Sequence, residues 1–169
     1  PAMGWRATRI ALDRPVMLRH QLRALIYASG RRKLSVMFPM VAQVAELDAL
    51  RKLLDLELER ATGLGQDIPD TVRVGVMMEV PALAMQMENL LPRIDFLSVG
   101  SNDLVQFLFA SDRGNPRLEG RYDTLAPAVL NFLKHVCDEC RAAGTQLTVC
   151  GEMAGDPVAA MALLGLGYE

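Results

Sequence analysis

The sequence predicts an α/β fold in which parallel strands alternate with helices, and three observations predict it. Four short apolar runs, Leu34 to Phe38, Val72 to Met78, Phe96 to Val99 and Gln146 to Val149, read as strands. The segments between them carry apolar residues at spacings of three and four and are long enough for the right-handed crossovers that join parallel strands. Each of the last three runs ends in a carboxyl-bearing or Gly-rich turn: Met78-Glu79-Val80-Pro81, Val99-Gly100-Ser101-Asn102-Asp103-Leu104 and Val149-Cys150-Gly151-Glu152. Four strands in 169 residues amount to about half of an eight-stranded barrel, which takes roughly 250 residues, so a partial TIM (β/α)8 barrel is one architecture. The residues alone leave a doubly wound open sheet standing beside it.

Taken in order, Pro15 to Ser29 places Leu18, Leu22, Leu25 and Ile26 on one helical face and stops at Gly30. Leu34-Ser35-Val36-Met37-Phe38 is a buried strand closed by Pro39. From Val44, the apolar positions Leu47, Leu50, Leu54, Leu58 and Ala61 define a long amphipathic helix, with Glu46, Arg51, Lys52, Glu57 and Arg60 expected to face water. Gly63 to Pro69 is a loop, and Pro81 is expected at the first turn of the helix after the second strand. A short helix from about Asp103 to Ala110, a polar loop to Leu125, a helix from Ala126 to Ala143 and a last helix from Pro157 to near Gly165 complete the reading. The chain has no internal repeat and no linker that divides it.

A composition of 51% hydrophobic and 22% charged residues is that of a globular domain, and a net charge of -2 provides no basic field for nucleic acid or an anionic membrane. No apolar run approaches the roughly 20 residues of a membrane span. Without a signal-peptide pattern, and with three cysteines that make neither an even disulfide set nor a zinc quartet, the chain reads as cytoplasmic. Pro1 is not an initiator methionine, and both ends read as cut.

In parallel α/β architectures the chemistry collects beyond the carboxyl ends of the strands. Glu79, Asn102, Asp103, Cys150 and Glu152 all fall there. Taken singly, a strand-end carboxylate such as Glu79 is more often a helix cap or turn former, and Ser101-Asn102-Asp103 before an apolar helix is an ordinary N-cap sequence. Together, Glu79 and Asp103 can hold a hard cation such as magnesium, whose remaining ligands come from water and phosphate. Arg113, ten residues beyond Asp103, offers a guanidinium fork for carboxylate or phosphate oxygens, as does Arg6 or its neighbour Arg9. Cys150 precedes a glycine at a strand end, where a protonated thiol could serve as a proton donor. Cys137 and Cys140 continue the apolar face of Val129, Leu133 and Val136 and read as core. His20 and His135 read as solvated helix residues, and Met77, Met78, Met85 and Met87 as adaptable packing.

Gly4-Trp5-Arg6, Met37-Phe38-Pro39-Met40, Gly75-Val76-Met77-Met78-Glu79-Val80-Pro81, Asp95 through Leu104, and Cys150-Gly151-Glu152-Met153-Ala154-Gly155 occur in this order along essentially the whole chain. The set resembles the phosphoenolpyruvate (PEP)-binding domain of Enzyme I of the bacterial phosphotransferase system. The resemblance implies that residues 1–169 are part of a C-terminal PEP-binding barrel. It implies that Glu79 and Asp103 bind magnesium, that Arg6, Asn102, Asp103 and Arg113 hold PEP, and that Cys150 is the proton donor. The implied reaction moves the phosphoryl group to a histidine of a separate N-terminal domain and on to a histidine phosphocarrier protein, releasing pyruvate; the implied assembly is a homodimer. Ser101, where the sugar-branch enzymes usually have threonine, and Val105-Gln106-Phe107-Leu108-Phe109 resemble the nitrogen branch more closely. The barrels of pyruvate phosphate dikinase and PEP synthase share a similar pattern, and a catalytically silent dimerisation or metabolite-sensing module is the alternative of another class. Neither the phosphoacceptor histidine domain nor the remaining barrel strands lie within these residues, so the piece by itself is expected to be inactive.

Overall fold

The computed structural model of the chain describes residues 3–118 and 120–168. Their four strands, β1 (Lys33–Phe38), β2 (Thr71–Met78), β3 (Phe96–Gly100) and β4 (Gln146–Cys150), form one parallel sheet in the order β1-β2-β3-β4. The register runs Met37 to Gly75, Val76 to Leu97 and Gly100 to Cys150, so the carboxyl ends of β3 and β4 are level. A doubly wound sheet reverses its strand order at a switch point. Here every neighbour in sequence is a neighbour in space, and crossovers of one hand then lay the helices on one face, as in a segment of barrel wall. Among the described residues the sheet is open.

Strand alternation agrees with that one-sided cover. Val36 and Phe38, Val74, Val76 and Met78, and Leu97 and Val99 enter a single core with the helices. On the other face, Ser35, Met37, Arg73, Met77, Thr148 and Cys150 are only partly covered or exposed, while Ser98 is buried.

The helices are α1 (Thr8–Asp13), α2 (Pro15–Ser29), α3 (Val44–Gly63), α4 (Pro81–Ala84), α5 (Met87–Leu90), α6 (Ser101–Leu108), α7 (Pro127–Ala143) and α8 (Pro157–Leu166). The α3 helix begins with a capping box between Gln43 and Glu46 and buries Leu47, Leu50, Leu54 and Ala61. On α7, Val129, Leu133, Val136, Cys137 and Cys140 are buried, so the paired cysteines are core. Burial pushes the Cys140 thiol up to about 12, which keeps it protonated and inert.

Four details differ from the sequence reading. Glu57, expected in water, is 1% exposed and lies between α2 and α3, where Arg19 and Arg23 donate to its two oxygens. Leu25 lies at the edge of its helical face and is exposed. The helix after Pro81 is broken into α4 and α5 at Gln86, whose side chain donates to the Ala42 carbonyl and accepts from the Val44 amide, tying this turn to the start of α3. Finally, α1 is six residues long, too short to show a helical period, and follows Ala7 at φ 48°.

Candidate functional site

The site is built from the strand ends upward. Glu79 follows β2 directly and is 4% exposed, yet it caps no helix; its Oε1 accepts the Met40 amide at 2.6 Å. Glycine at the end of β3 makes room for the other oxygen. A Cβ at Gly100 would stand 2.9 Å from Glu79 Oε2 and 2.9 Å from Met77 Sδ.

The α6 helix starts at Ser101, two residues before the expected position, so Asp103 lies in its first turn and makes no capping bond. Its carboxylate pairs instead with two arginines: Arg6 Nη2 donates to Oδ2 at 3.2 Å, and Arg113 Nε forms an ion pair with Oδ1 at 3.5 Å. Arg6 is thus the guanidinium that reaches the strand ends, because Arg9 donates to the Gly4 carbonyl at 2.7 Å. Asp103 is buried while Arg113 is exposed, so one arm of the cluster remains open to solvent.

Burial raises the Glu79 pKa above its ordinary range, and the nearby Asp103 charge raises it further. The Met40 amide and the charges of Arg6 and Arg113 act in the opposite direction and do not fully compensate. The result is a carboxyl whose charged form is disfavoured mainly by burial, a penalty that an added cation would offset.

Asn102 and Cys150 form the other half. Asn102 Oδ1 accepts the Glu152 amide at 3.0 Å, which assigns the side-chain oxygen and leaves the amide NH2 as a donor. Ser101 Oγ donates to the Cys150 carbonyl at 3.1 Å, locking α6 to the end of β4. Between them stands Gly151 at φ 106°, where a Cβ would come within 2.4 Å of Ser101 Oγ. The half-buried Cys150 thiol donates to the Val99 carbonyl at 3.4 Å.

A cleft of about 250 Å³ opens beside this half, lined by Asn102, Gln106, Arg113, Tyr122, Glu152 and Met153. Glu79, Asp103 and Cys150 are not among its lining residues. The expected residues therefore gather at one end of the sheet in two adjoining sets. One is the carboxylates with their arginines; the other is Asn102 and Cys150, linked to the turn after β4. His20 and His135 are exposed on α2 and α7, away from both.

Sequence reading missed Gln106. It is 3% exposed; its Oε1 accepts the Arg113 amide at 3.1 Å and its Nε2 faces Asp103 Oδ1 at 3.5 Å. One amide thus spans the Asp103 carboxylate and the loop that carries Arg113. Its place three residues after Asp103 on a helix was the available signal.

The donor chemistry fits magnesium. Among the described residues no group of three or more His, Cys, Asp or Glu side chains is arranged to hold a metal ion. Two carboxylates without nitrogen or sulfur partners suit a cation that takes one or two carboxylates and completes its shell with water and phosphate, and do not suit zinc. No helix among these residues is long and apolar enough to cross a membrane.

Residues 1–169 match the family described as PEP-utilising enzyme, PEP-binding domain. The chain is 42% identical over 173 residues to a protein of Salmonella typhimurium named phosphoenolpyruvate-dependent phosphotransferase system, aligning with 100% of this chain and 23% of that one. It is 41% identical over 169 residues to the phosphoenolpyruvate-protein phosphotransferase of Latilactobacillus sakei, covering 100% of this chain and 29% of that one. Among solved structures, a citrate lyase from Burkholderia xenovorans LB400 shares the fold with a TM-score of 0.58 at 15% identity, over 92% of this chain and 55% of that one. The chain thus spans less than a third of the length of the first two relatives.

Proposed function

Because this chain belongs to the PEP-binding domain family of the PEP-utilising enzymes, we propose that it is the PEP-binding part of an Enzyme I, a phosphotransferase that passes the phosphoryl group of PEP to a protein histidine. The observation that carries the reading is the cluster at the ends of β2 and β3, where the Glu79 and Asp103 carboxylates meet the Arg6 and Arg113 guanidiniums. Opposite charges are concentrated at one spot, as recognition of a small, highly charged substrate needs.

Each residue then has a role. Arg6 and Arg113 hold the substrate's anionic oxygens, exchanging part of their attraction to Asp103 for that to PEP. Asn102 donates its NH2 to the substrate, with its oxygen anchored on Glu152. Glu79 and Asp103 hold magnesium, which when bound neutralises phosphoryl charge during transfer. The phosphorus–oxygen bond of PEP breaks as a bond to the acceptor histidine nitrogen forms, and the enolate left behind takes a proton at carbon from the Cys150 thiol to give pyruvate. The acceptor histidine belongs to a separate domain and passes the group to a histidine phosphocarrier protein.

On this reading residues 1–169 are one partial barrel domain of a cytoplasmic homodimer, inactive by themselves. The Val105 to Phe109 segment supports the nitrogen branch for the parent enzyme. Calorimetry on the full-length enzyme tests the site: PEP should bind with magnesium present and lose most of its affinity on chelation or in Asp103→Asn. Equal binding by Asp103→Asn and the parent would remove the carboxylate pair from the site.

A further inference from the structure

Thr8 is a buried polar residue, 2% exposed, that no reading of the sequence singled out. Its hydroxyl donates to the Pro39 carbonyl across 31 positions of sequence. The carbonyl of Pro39 and the N–H of Met40 belong to one peptide unit, and that N–H donates to Glu79 Oε1 at 2.6 Å. A single amide is therefore held at both ends, by the Thr8 hydroxyl on its oxygen and by the Glu79 carboxylate on its nitrogen. Two residues before Thr8 comes Arg6, whose guanidinium reaches Asp103.

The backbone conformation shows that this amide needs holding. Met40 lies at φ 55°, a region side-chain-bearing residues seldom adopt, and Ala7, immediately before Thr8, lies at φ 48°. Rotation of the Pro39–Met40 peptide plane would carry Met40 back to negative φ and relieve the strain. It would also turn the N–H away from Glu79. The Thr8 hydroxyl opposes that rotation, because a rotated carbonyl would lose its donor in a partly buried setting. A donor on the carbonyl also polarises the amide and strengthens the bond that its N–H makes to the carboxylate.

We propose that Thr8 is a positioning residue for Glu79, acting through the Pro39–Met40 peptide unit so that Oε1 stays on the Met40 amide and Oε2, on the Gly100 side, is presented for magnesium. The proposal rests on the reading of Glu79 as a magnesium carboxylate. By the same contact, Thr8 sets the start of α1 and with it the approach of Arg6. One hydroxyl thereby couples an arginine of the anion site to a carboxylate of the metal site.

The experiment uses the full-length enzyme and compares Thr8→Val, Thr8→Ser and the parent. Thr8→Val should raise the magnesium concentration needed for half-maximal PEP binding, measured by calorimetry, by about three- to tenfold, the effect of one hydrogen bond. Thr8→Ser, which keeps the hydroxyl, should restore the parental value. Hydrogen exchange of the peptide spanning residues 37–46, followed by mass spectrometry without substrate or metal, should be faster in Thr8→Val and parental in Thr8→Ser. If Thr8→Val unfolds, Thr8→Ser against Thr8→Ala isolates the hydroxyl. Parental magnesium dependence and parental exchange in the variant that lacks the hydroxyl would overturn the proposal, as would equal impairment in the serine variant. Parent enzyme that binds PEP without regard to magnesium would instead overturn the metal reading of Glu79, a result distinguishable from either.

Discussion

Glu57 and Glu79 are both buried and both lie near two arginines, yet the Glu57 carboxyl is held below the usual carboxylate range while the Glu79 carboxyl is pushed above it. Hydrogen bonding explains the difference. At Glu57 the leading cause is the bonding from Arg23, which reaches both oxygens; Arg19 donates to Oε1 as well, and burial is outweighed. At Glu79 burial leads, the one bonded donor among the described residues is a neutral amide, and Arg6 and Arg113, which pair with Asp103, act on it through space. The comparison separates two uses of a buried charge: one is closed by its partners and pins α2 to α3, and the other is left undercompensated at a strand end. Groups perturbed in the second way concentrate at functional sites, which is the ground for the proposed role of Glu79.

The largest test of this contrast is Glu79→Gln in the full-length enzyme. The replacement keeps the shape and the oxygen that accepts from Met40 but removes the charge, so magnesium-dependent turnover of PEP should fall about a thousandfold or more. Thermal stability without magnesium should be unchanged or slightly higher, since the carboxylate it replaces is unfavourably ionised. A normal rate with normal magnesium dependence would move Glu79 into the class of Glu57.

Cys150→Ala tests the other half of the same end. Loss of a positioned proton donor should slow pyruvate formation by about 10²- to 10⁴-fold while PEP binding with magnesium is retained in calorimetry. Deuterium should enter the pyruvate methyl without stereochemical preference in the variant and with preference in the parent. Parental rate and stereochemistry would leave Cys150 as a thiol bonded to the Val99 carbonyl and nothing more.

Glu57→Gln has the smallest effect, and it falls on stability alone. The domain's melting temperature should drop by about 5 °C at neutral pH, with PEP affinity intact. The sign of its pH dependence is set by the depressed pKa. The stabilisation from the trio is fully present above the ordinary glutamate value of about 4.3 and is lost as pH falls through the lower folded value. Melting curves of variant and parent should therefore converge in acid. A loss of PEP affinity with unchanged stability would reverse the assignment of the two glutamates.

Much of the fold is legible in the order of residues alone. Leu34 to Phe38, Val72 to Met78 and Phe96 to Val99 are short, mostly apolar runs, the first closed by Pro39 and the third by Gly100, and they form β1, β2 and β3 with shifts of one residue or less at their ends. Cys137 and Cys140 follow the apolar face of α7 into the core. Gln86, Glu57, Thr8 and Met40 are not legible in that way. An exposed helix position and a salt-bridged buried one carry the same letter, and the partners of Glu57 lie 34 and 38 residues away. Gln86 interrupts a helix that its local sequence supports, because its amide reaches across to Ala42 and Val44.

The sequence by itself determined the alternation of strands and helices, the places where strands end, and the presence there of Glu79, Asn102, Asp103 and Cys150. These are local properties: apolar period, chain-breaking residues and short-range order are written in neighbouring letters. Tertiary structure alone decided that the strands stand in sequential order, that Arg6 rather than Arg9 reaches Asp103, and that Gln106 and Thr8 support the carboxylates. It also decided which buried glutamate is neutralised and which is not. Those outcomes depend on distances between groups up to 97 residues apart, and the charge balance at a carboxylate is a sum over neighbours that only the folded chain brings together.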